Sequence, residues 1–158
     1  MKRLICLILA TLMLSFGVFA APVDSTKEIS RLLQNIAPSD FGYIDSTEYY
    51  SSHYFQDLCG VDAAYIVTSA DSSNFNEIGV FHVNSDCNLK DNVSKVQKYL
   101  DTAKSNFESG VMYNPEEYSK FKNSRVEAFG DYIVYTILDK EPTRRIYSAI
   151  SEFIKNGV

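Results

Sequence analysis

Two cysteines 28 positions apart, Cys59 and Cys87, bracket CGVDAAYIVTSADSSNFNEIGVFHVNSDC, a stretch that otherwise has the pattern of two strands and a turn. With DSSNFNE, Asp71 to Glu77, as the turn, a hairpin centred on Ser73 pairs Tyr65 with Phe81, Ala63 with Val83 and Val67 with Gly79. Continued outward, the same register sets Cys59 opposite Cys87. Both fall on the face of Val61, Ala63, Tyr65, Phe81 and Val83, the more apolar face of the pair. A cross-strand Cys59–Cys87 disulfide closing the hairpin is the expectation. A bulge or another turn length would change the register.

The chain of 158 residues opens with Lys2 and Arg3, runs through apolar residues from Leu4 to Ala20 and meets small residues before Pro22. That order is expected of a secretory signal peptide over residues 1–20, with Val18 and Ala20 preceding the cleavage point. Retained, the segment would serve as an anchor. Cys6 precedes the apolar run, whereas a lipid-bearing cysteine would follow it. The remainder, residues 21–158, has the length of one domain and no second membrane span. Of 15 basic side chains, two lie in the signal segment, so 13 stand against 20 acidic ones, a net charge near −7. Such a surface repels nucleic acid. The expected address is secreted or extracytoplasmic.

Helices frame the hairpin. Ser25 and Glu28 have capping-box spacing, and Ile29, Leu32, Leu33 and Ile36 form one stripe before Pro38. SDFGYIDSTEYYSSHYFQDL, residues 39–58, shows no sustained period and reads as a long loop with a short helix near Tyr54 to Leu58. Asn88 can cap a long helix carrying Leu89, Val93, Val96, Leu100, Ala103 and Phe107, with Gly110 as its stop. Asn114 and Pro115 open a short helix; a second hairpin turns on Gly130 and Asp131 with Val126, Ala128, Ile133, Tyr135 and Ile137 on one face. A final helix begins at Pro142, carries Ile146, Ala149, Ile150, Phe153 and Ile154, and stops at Gly157. The fold class expected is α+β: two hairpins forming an antiparallel sheet, covered on one face by a long central helix, with N- and C-terminal helices.

The segment from about Cys59 to Ile154 resembles the DUF4358 family of bacterial exported proteins and lipoproteins. NEIGVFHV, then the amphipathic helix, then YNPEEYSKFKNSRVEAFGDYIVYTI carry the resemblance, in that order and at those distances. It implies a Gram-positive source and an extracytoplasmic address, and it brings no assigned activity, cofactor or catalytic residue. The chain departs from many relatives in having no lipid-bearing cysteine after its signal segment.

Few residues suggest chemistry. Cys59 with His53 or His82 is the one possible nucleophile pair, and the bridged cysteine is the simpler account in an exported chain. Two cysteines and two scattered histidines do not make a metal site, and no cofactor motif is present. Glu116 and Glu117 are adjacent in a helix's first turn, where they complement its dipole. Arg144 and Arg145 read as a solvated helix face. EYYSSHYF is the distinctive stretch: Tyr49, Tyr50, His53, Tyr54 and Phe55 are candidates for the edge of a binding face, because tyrosine joins a large apolar body to a polar tip. The expected role is a non-enzymatic binding or envelope-associated module whose partner is an envelope protein or a small ligand; the alternative is a small secreted enzyme with Cys59 as nucleophile.

Overall fold

The computed structural model describes residues 25–40, 42–109 and 114–155. The expected signal segment, Cys6 and the stops at Gly110 and Gly157 lie outside the described residues, as does the side chain of Ile154. In chain order the elements are α1 (Ser25–Ile36), β1 (Tyr43–Asp45), α2 (Thr47–His53), β2 (Val61–Ser69), β3 (Glu77–Val83), α3 (Leu89–Ser109), α4 (Pro115–Lys122), β4 (Arg125–Phe129), β5 (Tyr132–Ile137) and α5 (Lys140–Lys155). The strands form one antiparallel sheet in the order β1-β2-β3-β5-β4. Its centre is β3 and β5, one strand from each expected hairpin.

The sheet is covered on both faces, not on one. Ile29 and Leu33 of α1 and Ile146 and Ile150 of α5 pack with Val67, Ile78, Val80 and Val134 on one side. Val96 and Leu100 of α3 and Phe121 of α4 pack with Ile66, Phe81, Val83, Ile133, Tyr135 and Ile137 on the other. The terminal helices each carry an apolar stripe, and a stripe must find an apolar surface to bury. The whole expected stripe of α3, from Leu89 to Phe107, lies in the second core. Asn88 and Asn114 act as expected: Asn88 Oδ1 accepts the Lys90 amide at 3.0 Å, and Asn114 Oδ1 accepts that of Glu116 at 3.1 Å.

The register of the first hairpin differs from expectation by one residue. Ala64 faces Phe81, Tyr65 faces Val80, Ile66 faces Gly79 and Thr68 faces Glu77, so Glu77 opens β3 instead of closing the turn. A slip of one residue exchanges the two faces of a strand. Tyr65 accordingly packs toward α1 and α5, while Phe81 and Val83 face α3. Alternation misleads here because both faces are buried, and a doubly buried strand carries apolar residues at every position. A bulge between Val61 and Ala63 then sets Val61 opposite Val83, which returns the chain to the α3 face next to the cysteines.

The disulfide is present between residues flanking the strands, with Cα atoms 5.7 Å apart. Two further contacts fix this corner. Asn92, fully buried on α3, accepts the Cys59 amide at 3.0 Å and donates to the Cys59 carbonyl at 2.7 Å. Gly60 has φ +62°, and a Cβ there would lie 2.7 Å from the Cys87 sulfur. Only glycine fits that conformation without strain.

Within the described residues 42–58 the chain forms a strand and a helix, which corrects the expectation of a long loop. β1 pairs with β2, Tyr43 opposite Ser69, and the helix of this segment is α2, upstream of the expected Tyr54 to Leu58. Side-chain hydrogen bonds replace the missing apolar period. Asp45 Oδ1 accepts the Thr47 amide at 3.0 Å, Thr47 Oγ1 accepts the Ile66 amide at 2.9 Å, and the Ser46 and Thr68 hydroxyls meet at 2.8 Å. A strand of three residues is too short to alternate, and α2 has no fully buried residue and so no stripe.

Replacing both Cys59 and Cys87 by serine is expected to lower unfolding free energy by about 3.5 kcal/mol, the loop-closure value for a ring of about 29 residues. Urea titration of the oxidised and doubly substituted proteins measures it, and non-reducing peptide mapping should recover the Cys59 and Cys87 peptides joined. Equal midpoints would show that the bridge adds nothing.

Candidate functional site

The turn between β2 and β3 is built by its own polar side chains. Asp71 Oδ1 accepts the Ser73 amide at 2.9 Å and the Ser73 hydroxyl at 2.8 Å, and these bonds hold the Asp71 carboxyl below its ordinary value. Asn74 Oδ1 accepts the Asn76 amide at 2.9 Å. The turn is clamped to α4. Glu117 accepts the Phe75 amide at 2.7 Å and pairs with Lys120 at 2.7 Å, while Lys120 Nζ also donates to Asn74 at 3.0 Å. Glu117 is therefore a buried structural carboxylate in addition to complementing the helix dipole.

This clamp sets Phe75 against Phe107 of α3 and Phe121 of α4, with ring centroids 5.4 and 5.7 Å away. Between the turn, α3 and α4 lies a cavity of about 480 Å³. Phe75, Phe107, Phe121, Tyr99 and Ala103 form its apolar wall, and Ser72, Asn74, Asn76 and Asn106 give it polar groups.

Glu77 lies at the floor, 5 % exposed. Tyr135 donates its hydroxyl to Oε1 at 2.5 Å, and Tyr99 donates to the two carboxylate oxygens at 2.9 and 3.0 Å. Tyr50 stands beside them, its ring edge-on to that of Tyr99 at 6.2 Å. Two elements, α3 and β5, thus each supply one phenol to the carboxyl. Burial pushes the Glu77 carboxyl up to about 7, against the lowering effect of the three phenols. The hydroxyls of Tyr50, Tyr99 and Tyr135 are all raised above their ordinary range, in the first place by burial and next by the adjacent carboxylate.

Gly79 makes the arrangement possible. It is paired with Tyr135, whose ring lies across it so closely that a Cβ at position 79 would be 1.9 Å from a ring carbon. Any side chain there would move the buried ring and its hydroxyl away from Glu77. Here a glycine serves close approach and not backbone conformation.

The residues singled out from sequence divide. Tyr50 lines the cavity. Tyr54 stands at its side, exposed, with its ring 5.2 Å from that of Tyr99. Tyr49, 54 % exposed, stacks on His53 at 4.3 Å, and His53 Nδ1 lies 2.8 Å from the Tyr49 carbonyl oxygen. Phe55 is buried, edge-on to Phe81 at 5.0 Å and Tyr99 at 4.9 Å, so it belongs to the core beneath the surface formed by the others. The Cys59 sulfur is bonded to Cys87. His82 is half-buried and 2.6 Å from Asp62. Arg144 pairs with Glu141 at the surface. Glu77 and Tyr99 were not singled out by sequence, and Tyr135 was placed only as a sheet residue. The available signal was the triplet Glu77, Gly79, Phe81, an acid and a glycine on one face of an otherwise apolar strand.

Among the described residues no group of three or more His, Cys, Asp and Glu side chains could hold a metal ion, and no helix is long and apolar enough to cross a membrane. A family model described as "Domain of unknown function (DUF4358)" matches residues 57–138, just over half of the chain. The span includes both cysteines, Glu77, Tyr99 and Tyr135. No curated protein and no solved structure matches the chain.

Because the folded-state value of Glu77 lies above its unfolded one, folding takes up a proton between pH 4.5 and about 7. Stability is fully present below the lower value and falls as pH rises toward the upper, by about 3 kcal/mol. In Glu77→Gln this loss should disappear, as read from urea midpoints at pH 5 and 8; a parallel loss in both proteins would assign it elsewhere. Phe55→Ala should cost about 3 to 5 kcal/mol, as a lost core aromatic does, while Tyr49→Ala leaves the midpoint nearly unchanged.

Proposed function

The chain belongs to the DUF4358 family, and we propose that it works as an extracytoplasmic binding module that holds a small ligand in the cavity above Glu77. The observation that carries this is the cavity itself: an open space of about 480 Å³ with aromatic walls and one buried carboxyl at its floor. Binding sites for small molecules have this composition, a mostly apolar lining with a few placed polar groups. The exposed aromatic surface of α2 continues from the mouth, since Tyr50 lines the cavity and touches both Tyr49 and Tyr54. Tyr49, His53 and Tyr54 form the outer edge of the same binding face. Export is supported by the apolar N-terminal segment and by the disulfide, which persists in oxidising surroundings.

Binding without chemistry is favoured by the state of the groups at hand. The phenols of Tyr99 and Tyr135 are spent on Glu77, and the Cys59 sulfur is spent on Cys87. A nucleophile needs a free thiol or hydroxyl beside a base.

Titrating fragment-sized aromatic molecules into the purified protein, with amide chemical shifts as the readout, should move Phe75, Glu77, Tyr99 and Phe107 together. Ala103→Phe, which fills the cavity, should abolish those shifts while retaining the fold. Hits that ignore this substitution would overturn the cavity as the site, and turnover of any substrate lost on changing one cavity residue would overturn binding as the role.

A further inference from the structure

We propose that the ligand of this cavity is an organic cation, an ammonium group on an apolar body, seated against Tyr50 and Tyr99 above Glu77. The inference rests on the cavity being the ligand site and adds the class of ligand.

The first ground is hydrogen-bond accounting at the floor. A phenol has one proton, and Tyr99 and Tyr135 each direct theirs to Glu77. What these hydroxyls have left are lone pairs. At that carboxyl the floor therefore offers acceptors only, and a ligand group settling there must donate. Carboxylates and phosphates cannot.

The second ground is charge. Asp71 and Glu77 line the cavity, and no lysine, arginine or histidine is among its described lining residues. The nearest clamp residue, Lys120, is already held by Glu117 and Asn74. Glu77 is thus a buried carboxyl with hydrogen bonds but without a cation. Such a group is costly to ionise, and its elevated value shows that cost. A bound ammonium would supply the missing charge.

The third ground is the wall. Phe75, Phe107 and Phe121 lie with centroids 4.8 to 5.7 Å apart, next to Tyr99. Aromatic faces carry negative potential, attract ammonium groups and accept an apolar body equally well.

Three probes of one shape separate the possibilities: phenethylammonium, phenethyl alcohol and 3-phenylpropanoate, titrated at pH 8 with calorimetry and amide shifts. The ammonium should bind about tenfold or more tightly than the alcohol, and the carboxylate weakest. Glu77→Gln should erase the preference for the ammonium over the alcohol. A second measurement needs no variant. The alkylammonium stays charged below about pH 10, so on acidifying from pH 8 to 5.5 its affinity for the unaltered protein should fall about tenfold or more as Glu77 takes up a proton. Of the groups facing Glu77, the phenols of α2, α3 and β5 stay neutral across that range. Asp71 of the turn is held low, and the Glu117 carboxylate of α4 faces Lys120 in the clamp. Equal or tighter binding of the alcohol or the carboxylate at the cavity residues would overturn the cation while leaving the cavity as the site. Shifts from none of the probes would overturn both.

Discussion

A carboxyl group taken out of water is the constraint around which this molecule is arranged. Two phenol hydroxyls, from the long helix and a central strand, converge on Glu77. Their convergence fixes the spacing between α3 and the sheet, because a phenol bond to a carboxylate has little tolerance in length. Gly79 is the complementary void: with no side chain there, the Tyr135 ring can lie flat on β3 and reach the carboxyl two residues away. Burial, three bonds and one absent side chain form a single arrangement.

Much of the fold can be read from residue pattern. The long helix from Asn88, the second hairpin about Gly130 and the α5 stripe all follow from apolar spacing plus turn and cap chemistry, and the structure has them. The first hairpin shows where pattern stops. Val61, Ile66, Val67, Ile78, Val80 and Phe81 satisfy two registers equally, because each face of the sheet has its own helical cover. The turn decided it, through Asp71 and Asn74 bonding to nearby amides so that Glu77 starts a strand. The disulfide forms nonetheless, since the bulge at Asp62 returns Val61 to the α3 face, next to the cysteines.

The site was legible only at its margin. EYYSSHYF stands out by composition, and Tyr50 from it lines the cavity, yet composition cannot tell Phe55, which is buried, from Tyr54, which is not. Glu77, Tyr99 and Tyr135 come from three distant parts of the chain, and nothing local marks an acid at the end of a turn as a buried one. Convergence of that kind is a property of tertiary packing, which single-residue periodicity does not carry.

The sheet ends in β1 on one side and β4 on the other, and both are short. β1 has three residues before the chain folds away into α2, and β4 has five, with the charged Arg125 and Glu127 along it. An exposed strand edge is a template for further strands, whether from another copy of the chain or from a growing fibril. Here the two edges present few free amides, and charge interrupts one of them. A chain with long apolar strands at its centre thus keeps them away from the rims, where aggregation would begin.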